Sequence, residues 1–138
     1  SPNNPTGQVY TEYELINIYR VLRKYNALVL SDEIYSEFCF TQHYSIYKYY
    51  PENIIICSGI SKFISAGGWR LGFLIFPTEL NDYKYLVINI ACETYGSVIH
   101  PIQLATIVGF DTKVISPYTH LCTKTLIEIS NYIYPSIN

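Results

Sequence analysis

Three short, largely apolar runs constrain what this chain can fold into more than any other feature. They lie at residues 27–30, 53–57 and 71–76, and each is bounded by polar residues, glycine or proline. A run that is apolar at nearly every position, rather than at every second one, is typical of a strand in a sheet covered on both faces. Such sheets are mostly parallel and alternate with helices. The chain is therefore predicted to have an α/β fold.

The first helix is predicted from its capping residues and its apolar spacing. Thr11 and Glu14 form a capping-box pattern, in which each side chain can bond to the backbone N–H of the other. The residues that follow repeat apolar side chains at helical spacing: Leu15, Ile18, Tyr19 and Leu22. These signals predict a helix over residues 11–25, and Asn26 is suited to a left-handed stop.

Three further helices are predicted in the second half of the chain. One begins at residue 78, a second covers residues 101–110, and a third covers residues 119–134. Ser97 or His100 could cap the second of these helices. The last has an apolar face at helical spacing, which predicts that it packs on one side.

Composition excludes several classes of protein. The 138 residues carry a formal net charge of −2, with 49% apolar and 14% charged residues. A chain this apolar is not predicted to be disordered. No surplus of basic residues favours nucleic acid or an anionic membrane as a partner. The longest apolar runs are also well short of the ~20 residues that a membrane-spanning helix needs.

Cysteine and histidine spacing gives no sign of a metal or redox site. The four cysteines form no C-x-x-C pair: Cys39, Cys57, Cys92 and Cys122. The three histidines are widely separated in sequence, so no metal site is expected. Unpaired, scattered cysteines fit a reducing compartment, and a cytoplasmic location is therefore expected.

Polar groups collect where the apolar runs end. They lie in a turn at residues 4–7, after the first run at residues 32–35, and after the second run at residues 58–62. In α/β sheets, ligands bind beyond the carboxyl ends of the strands. The sequence therefore predicts that these three segments line one pocket.

The groups in these segments suit one cofactor. Lys62 lies in a loop flanked by serine and glycine; partial desolvation there would lower its pKa and free the amine for a Schiff base. Arg70 could bind a phosphate. Asp32 could hold a heterocyclic nitrogen protonated, while Tyr35 and Asn4 could donate hydrogen bonds to a phenolate oxygen. Together these four functions describe pyridoxal phosphate.

The same segments resemble a known family. Residues 1–7 (SPNNPTG), 31–35 (SDEIY) and 58–72 (SGISKFISAGGWRLG) look like the class I/II aminotransferases, which are fold type I pyridoxal-phosphate enzymes. All three motifs match in order and in approximate spacing. Residues 93–103 are similar more loosely, and the resemblance weakens after residue 110.

The resemblance implies a role for each site residue. Lys62 would form the Schiff base and move a proton between the substrate Cα and the cofactor. Asp32 would pair with the pyridine nitrogen, and Arg70 would bind the phosphate. Tyr35 and Asn4 would hydrogen-bond the phenolic oxygen. The expected substrates are an amino acid and a 2-keto acid.

One position departs from the family pattern. Many relatives have a phosphate-binding serine three residues before the lysine, where this chain has Gly59. Ser61 is the candidate replacement in the cofactor site, with Ser58 as an alternative. Glu33 is expected to be structural, because adjacent strand residues point to opposite faces and it cannot share a site with Asp32.

The resemblance also implies a domain organisation. Residues 1–110 would be part of a pyridoxal-phosphate-binding large domain with a mostly parallel sheet, and residues 111–138 a helix leading toward a small domain. The chain contains no methionine and opens within a motif, so we expect an internal fragment of a longer protein. The parent protein is expected to be a homodimer.

Three functions remain open at this stage. The first is transfer of an amino group between an amino acid and a 2-keto acid by the parent protein. The second is a pyridoxal-phosphate lyase or decarboxylase of the same fold, which shares the cofactor residues. The third is a truncated remnant without enzymatic activity. We expect the 138 residues on their own to be inactive.

Overall fold

The computed structural model of the chain describes residues 1–137. These residues form three strands, β1 (Val29–Asp32), β2 (Ile54–Gly59) and β3 (Gly72–Ile75). The same residues form five α-helices: α1 (Glu12–Lys24), α2 (Ile60–Phe63), α3 (Asn81–Thr94), α4 (His100–Val108) and α5 (Thr112–Ile137). Strands and helices alternate through the first half of the chain, so the predicted α/β class is confirmed.

The strands form one small mixed sheet in the order β1-β2-β3. β1 and β2 are parallel, with Val29 opposite Ile54, as expected for a mostly parallel sheet. β3 runs antiparallel to β2, with Gly72 opposite Gly59. The sequence did not predict this antiparallel strand. The connection between β2 and β3 contains only the one-turn helix α2 and a short 3₁₀ turn, whereas a parallel crossover usually contains a full α-helix.

The predicted first helix is confirmed together with its cap. The Glu14 N–H donates to Thr11 Oγ1 at 3.3 Å, and the Thr11 N–H donates to Glu14 Oε2 at 2.8 Å, so both halves of the capping box form. Asn26 follows the helix with a φ of 47°, the left-handed conformation that its sequence position predicted. Capping and apolar spacing therefore act together to define α1.

The later helices exist, but their starts differ from the predictions. A 3₁₀ turn at Thr78–Leu80 precedes α3, which begins at Asn81. Neither Ser97 nor His100 caps α4; Ile99 occupies the N-cap position without a side-chain bond, so that prediction is wrong. Proline in the first turn of α4 lacks an N–H, which reduces the need for a capping acceptor.

The last helix begins well before residue 119. α5 starts at Thr112, where Asp111 Oδ1 accepts a hydrogen bond from the Lys113 N–H at 2.9 Å. Ile115 packs against a small core cluster, and the Tyr118 hydroxyl donates to Ser65 Oγ at 2.7 Å. The start of α5 is thus attached to the preceding residues, and the domain boundary after residue 110 stays a prediction.

The main core lies between α1 and one face of the sheet. Its buried side chains come from α1, from β2 and from the segment that joins β1 to β2: Leu15, Ile46, Tyr50 and Ile54. On the other face of the sheet, Leu30 is 64% exposed and Leu74 is 39% exposed. Ile55, which lies opposite Leu30 on the same face, is only 8% exposed. The described residues therefore cover this face only in part, whereas the sequence predicted cover on both faces. No helix among them is long and apolar enough to cross a membrane.

The α1 cap provides a first test of this fold. Thr11→Val keeps the branched shape but removes the hydroxyl, so we expect the full-length protein to lose about 1 kcal/mol of unfolding free energy. Thr11→Ser keeps the capping oxygen and should stay within about 0.3 kcal/mol of the parent. Urea unfolding measures both variants, and equal stability of the two would contradict the capping role.

Candidate functional site

The ends of β1 and β2 and the beginning of β3 meet at one edge of the sheet. Asp32, the last residue of β1, lies opposite Cys57, and Gly59, the last residue of β2, lies opposite Gly72. Because β3 is antiparallel, the residues just before it lie at this same edge. The fold therefore places Arg70 near the segments that follow β1 and β2.

Tyr35 links the turn at the start of the chain to Lys62. The Asn4 side-chain amide donates to the Tyr35 hydroxyl at 3.2 Å. The Lys62 ammonium lies 5.3 Å from the centre of the Tyr35 ring, within the range of a cation–π contact. Gly7 adopts a φ of 69° and closes the turn that carries Asn4, which explains the glycine in the first motif. Tyr35 thus contacts two other predicted site residues that are distant from it in sequence.

Asp32 projects from the end of β1 toward the neighbouring strand. Its Oδ1 accepts a hydrogen bond from the Ile34 N–H at 3.0 Å. Burial, and secondarily the charge of the Asp32 carboxylate, raises the pKa of the Cys57 thiol. The carboxylate therefore supplies negative charge beside β2, a few residues before Lys62.

Arg70 is held by the backbone of its own loop. Its φ is 54°, a left-handed conformation, and its Nη1 donates to the Gly67 carbonyl at 3.1 Å. The residue lines a cavity of about 880 Å³ whose other walls include Cys57 and Lys84. Ser61, half-buried, lies in α2 immediately before Lys62. The groups in the region that could bind an anion include the Arg70 guanidinium, the Lys84 ammonium and the hydroxyls of Ser58 and Ser61.

Gly59 has a steric reason to differ from the serine of many relatives. A Cβ at this position would lie 2.9 Å from the backbone oxygen of Leu71 and 3.1 Å from the Cα of Gly72. Backbone atoms cannot move aside as a flexible side chain can. A serine at position 59 would therefore require β2 and β3 to shift apart.

The predicted site residues lie near one edge of the sheet but do not line one enclosed pocket: Asn4, Asp32, Tyr35, Ser61, Lys62 and Arg70. Asn4 and Tyr35 line a cavity of about 600 Å³, which is distinct from the cavity beside Arg70. Neither cavity includes Asp32 or Lys62, and both of these residues are exposed. The partial desolvation expected for Lys62 is therefore not provided by the described residues.

The sequence did not show how Glu33 and His43 are placed. Glu33 is only 8% exposed and accepts hydrogen bonds from two serine hydroxyls. His43 has a buried Nε2 without a hydrogen-bond partner, and it lines a cavity of about 260 Å³ together with Glu33. Strand alternation predicted the direction of Glu33, but its burial depends on Ser45, which is too distant in sequence to have been paired with it.

Comparison with known proteins agrees with these motifs. The sequence profile of the family described as aminotransferase class I and II matches residues 1–134. The chain is 39% identical over 117 residues to a probable N-acetyl-LL-diaminopimelate aminotransferase of Bacillus subtilis, a match that covers 83% of this chain and 30% of that protein. It is 35% identical over 97 residues to an aspartate aminotransferase of Pyrococcus horikoshii, covering 65% of this chain and 25% of that protein.

Solved structures show the same likeness. The fold is similar to that of an aromatic aminotransferase from Pyrococcus horikoshii, with a TM-score of 0.87 and 26% sequence identity. That match covers 98% of this chain and 36% of the other. The chain thus spans about a third of the length of the proteins it matches.

The contact at Gly59 can be tested by stability. Gly59→Ala should lower the free energy of unfolding of the full-length protein by about 1–3 kcal/mol, because the methyl group meets backbone atoms. Gly68→Ala is the matched control, since a Cβ there has no neighbour within 4 Å. Thermal and urea unfolding of both variants provide the measurement. A Gly59→Ala protein as stable as the Gly68→Ala protein would show that β2 and β3 can separate.

Proposed function

Because the chain belongs to the class I and II aminotransferases, we propose that the whole protein transfers an amino group between an amino acid and a 2-keto acid with pyridoxal phosphate as cofactor. The observation that carries this proposal is the contact of Tyr35 with both Asn4 and Lys62 at the sheet edge where Asp32 lies. The relatives compared above are all named as aminotransferases, which favours transamination over the lyase and decarboxylase alternatives.

The donor set at the sheet edge fits this cofactor. A primary amine, a carboxylate, a hydroxyl paired with an amide, and a guanidinium match its aldehyde, ring nitrogen, phenolic oxygen and phosphate. When bound, pyridoxal phosphate supplies an electron-accepting ring that stabilises negative charge at the substrate Cα. In this proposal Arg70 binds the phosphate, and Ser61 adds a hydroxyl donor beside it.

Asp32 and Tyr35 would hold the ring from two sides. The Asp32 carboxylate accepts a charged hydrogen bond from the protonated ring nitrogen and so keeps that proton in place. The Tyr35 hydroxyl, which already accepts a hydrogen bond from Asn4, has its own proton free to donate to the phenolic oxygen. Asn4 thereby orients the hydroxyl toward the cofactor.

Lys62 would have two tasks in this proposal. Its Nζ would hold the cofactor covalently, and as a free amine it would take the proton from the substrate Cα. Such a base must lie within hydrogen-bond reach of that proton. The Tyr35 ring beneath the ammonium restricts where Nζ can lie, which supports this positioning.

The proposal extends to the setting of the whole protein. The four cysteines of the chain are unpaired, which supports a reducing, cytoplasmic compartment. Apolar side chains are exposed on α3 and α4, among them Leu86, Ile90 and Leu104. Exposed apolar surface of this kind supports association, and we include a homodimer in the proposal.

The assignment of Lys62 can be tested by chemical labelling. The full-length protein is incubated with pyridoxal phosphate and reduced with borohydride, and mass spectrometry of its peptides locates the attached group. We expect attachment at Lys62 and none in Lys62→Ala, whose kcat should fall by about 10²–10⁴-fold. Lys84→Ala is the control, since that amine lines the cavity beside Arg70. Attachment at Lys48 or Lys84 in the parent protein would contradict the assignment.

Replacement of Asp32 should affect cofactor binding and catalysis to different extents. A charged hydrogen bond contributes about 1.5–3 kcal/mol, so Asp32→Asn should weaken cofactor binding by that amount. Proton removal from the substrate Cα should slow by a larger factor, because the charge on the ring nitrogen also changes. Equilibrium dialysis measures binding, and loss of the Cα–H NMR signal in D₂O measures proton removal. Asp82→Asn serves as the control, and unchanged proton removal in Asp32→Asn would rule out the role.

A further inference from the structure

Glu33 is a buried carboxylate outside the set of proposed cofactor ligands. It is 8% exposed, and it is the only charged side chain among the buried residues that the structure describes. Within the same residues it takes part in no ion pair. Because a buried carboxylate is costly unless it is well hydrogen-bonded, its burial next to Asp32 needs a structural explanation.

Two serine hydroxyls satisfy this carboxylate. Glu33 Oε1 accepts from Ser31 Oγ at 3.0 Å and from Ser45 Oγ at 2.6 Å. Ser45 Oγ in turn accepts from the Tyr47 N–H at 3.2 Å, at the start of the 3₁₀ turn Ile46–Lys48. The carboxylate therefore attaches the end of β1 to a segment that packs in the main core.

The segment so attached carries Asp32 and Tyr35. The Glu33 N–H donates to the Cys57 carbonyl at 2.9 Å, which continues the ladder between β1 and β2. The Glu33 carbonyl accepts from the Ser36 N–H at 3.0 Å and closes the turn that contains Tyr35. The Ile34 side chain lies beside Gly59, with its Cδ1 3.5 Å from the place of a Cβ there. Glu33 thus anchors this turn on one face of the sheet, and Ile34 anchors it on the other.

We propose that Glu33 is a positioning residue, whose hydrogen bonds to Ser31 and Ser45 fix the directions of Asp32 and Tyr35. The proposal rests on the function proposed above, because those two side chains are the ones that would hold the cofactor ring. The carboxylate acts as a hydrogen-bond acceptor, and its charge is not required. A side chain with the same shape and an acceptor oxygen should therefore replace it, whereas an apolar side chain of similar size should not.

The test compares Glu33→Gln with Glu33→Met in the full-length protein. Gln keeps an acceptor oxygen, while Met keeps the volume but accepts no such bond. In the cofactor-free protein, amide hydrogen exchange is measured at Ile34, Ser36 and Phe38, whose N–H groups form the turn. Glu33→Met should speed exchange at these amides by about 10-fold or more, and the exchange rates of Glu33→Gln should stay close to those of the parent protein.

Kinetics of the loaded protein provide the second readout. A shift of Asp32 and Tyr35 should lower kcat by about 10–100-fold in Glu33→Met and leave KM within about 2-fold, with kcat restored in Glu33→Gln. Ser45→Ala should change amide exchange and kcat in the same direction as Glu33→Met, and Ser45→Thr should behave like the parent protein. Thr11→Val is the control for a general loss of stability, since it weakens the α1 cap without removing a hydrogen bond of Glu33 or Ser45, and it should change neither readout.

The exchange and kinetic measurements together distinguish the ways in which the proposal could be wrong. Unchanged exchange at the three amides in Glu33→Met would overturn the positioning role. Faster exchange with an unchanged kcat would overturn the link from Glu33 to the site. A parent protein that neither binds pyridoxal phosphate nor transfers amino groups would overturn the proposed function and, with it, the catalytic part of this inference. The exchange arm would still decide whether Glu33 fixes the turn.

Discussion

The close approach of β2 and β3 at Gly59 is the constraint on which the candidate site depends. The backbone oxygen of Leu71 would lie 2.9 Å from a Cβ at position 59, so a side chain there would require β2 and β3 to shift against each other. The return of β3 along β2 brings Arg70 to the edge where β1 ends at Asp32. A third strand parallel to the others would begin at the opposite edge, about a strand length away. The antiparallel direction of β3 therefore places Arg70 and Asp32 at the same edge of the sheet.

Features with local signals could be predicted from the sequence, and features set by distant contacts could not. Both halves of the α1 cap lie within four residues, and the apolar runs mark all three strands. The direction of β3 could not be derived, because an apolar run has the same composition in either direction. The early start of α5 was also missed, since residues 112–118 include β-branched residues and Pro117, which favour helix weakly. Asp111 supplies the cap and Ile115 the packing that overcome this weakness.

In the candidate site too, some features could be predicted from local sequence signals, and others depend on distant contacts. Tyr35 contacts both Asn4 and Lys62, but Asn4 and Arg70 line different cavities, so the single pocket predicted for these segments is not formed by the described residues. The sheet-edge argument that grouped the segments uses only the ends of the strands. It could not predict that Lys62 is exposed, since exposure depends on what covers the loop. Charges in water interact far more weakly than charges in a dry site. If Lys62 is to act as a base, water must be excluded from it by groups other than residues 1–137. This physical requirement agrees with a chain that spans about a third of the proteins it matches.

Asp32 and Glu33 show how two adjacent carboxylates can have opposite tasks. Alternation along β1 directs their side chains to opposite faces of the sheet. Asp32 remains exposed, so its carboxylate is available to a ligand. Glu33 is buried and its Oε1 is occupied by two hydroxyls, so that oxygen has little capacity left for a ligand. A one-residue shift of register would exchange the two environments and bury the carboxylate of the proposed cofactor site. The Ser31 and Ser45 bonds oppose that shift, because only an acceptor oxygen on their face of the sheet can receive them.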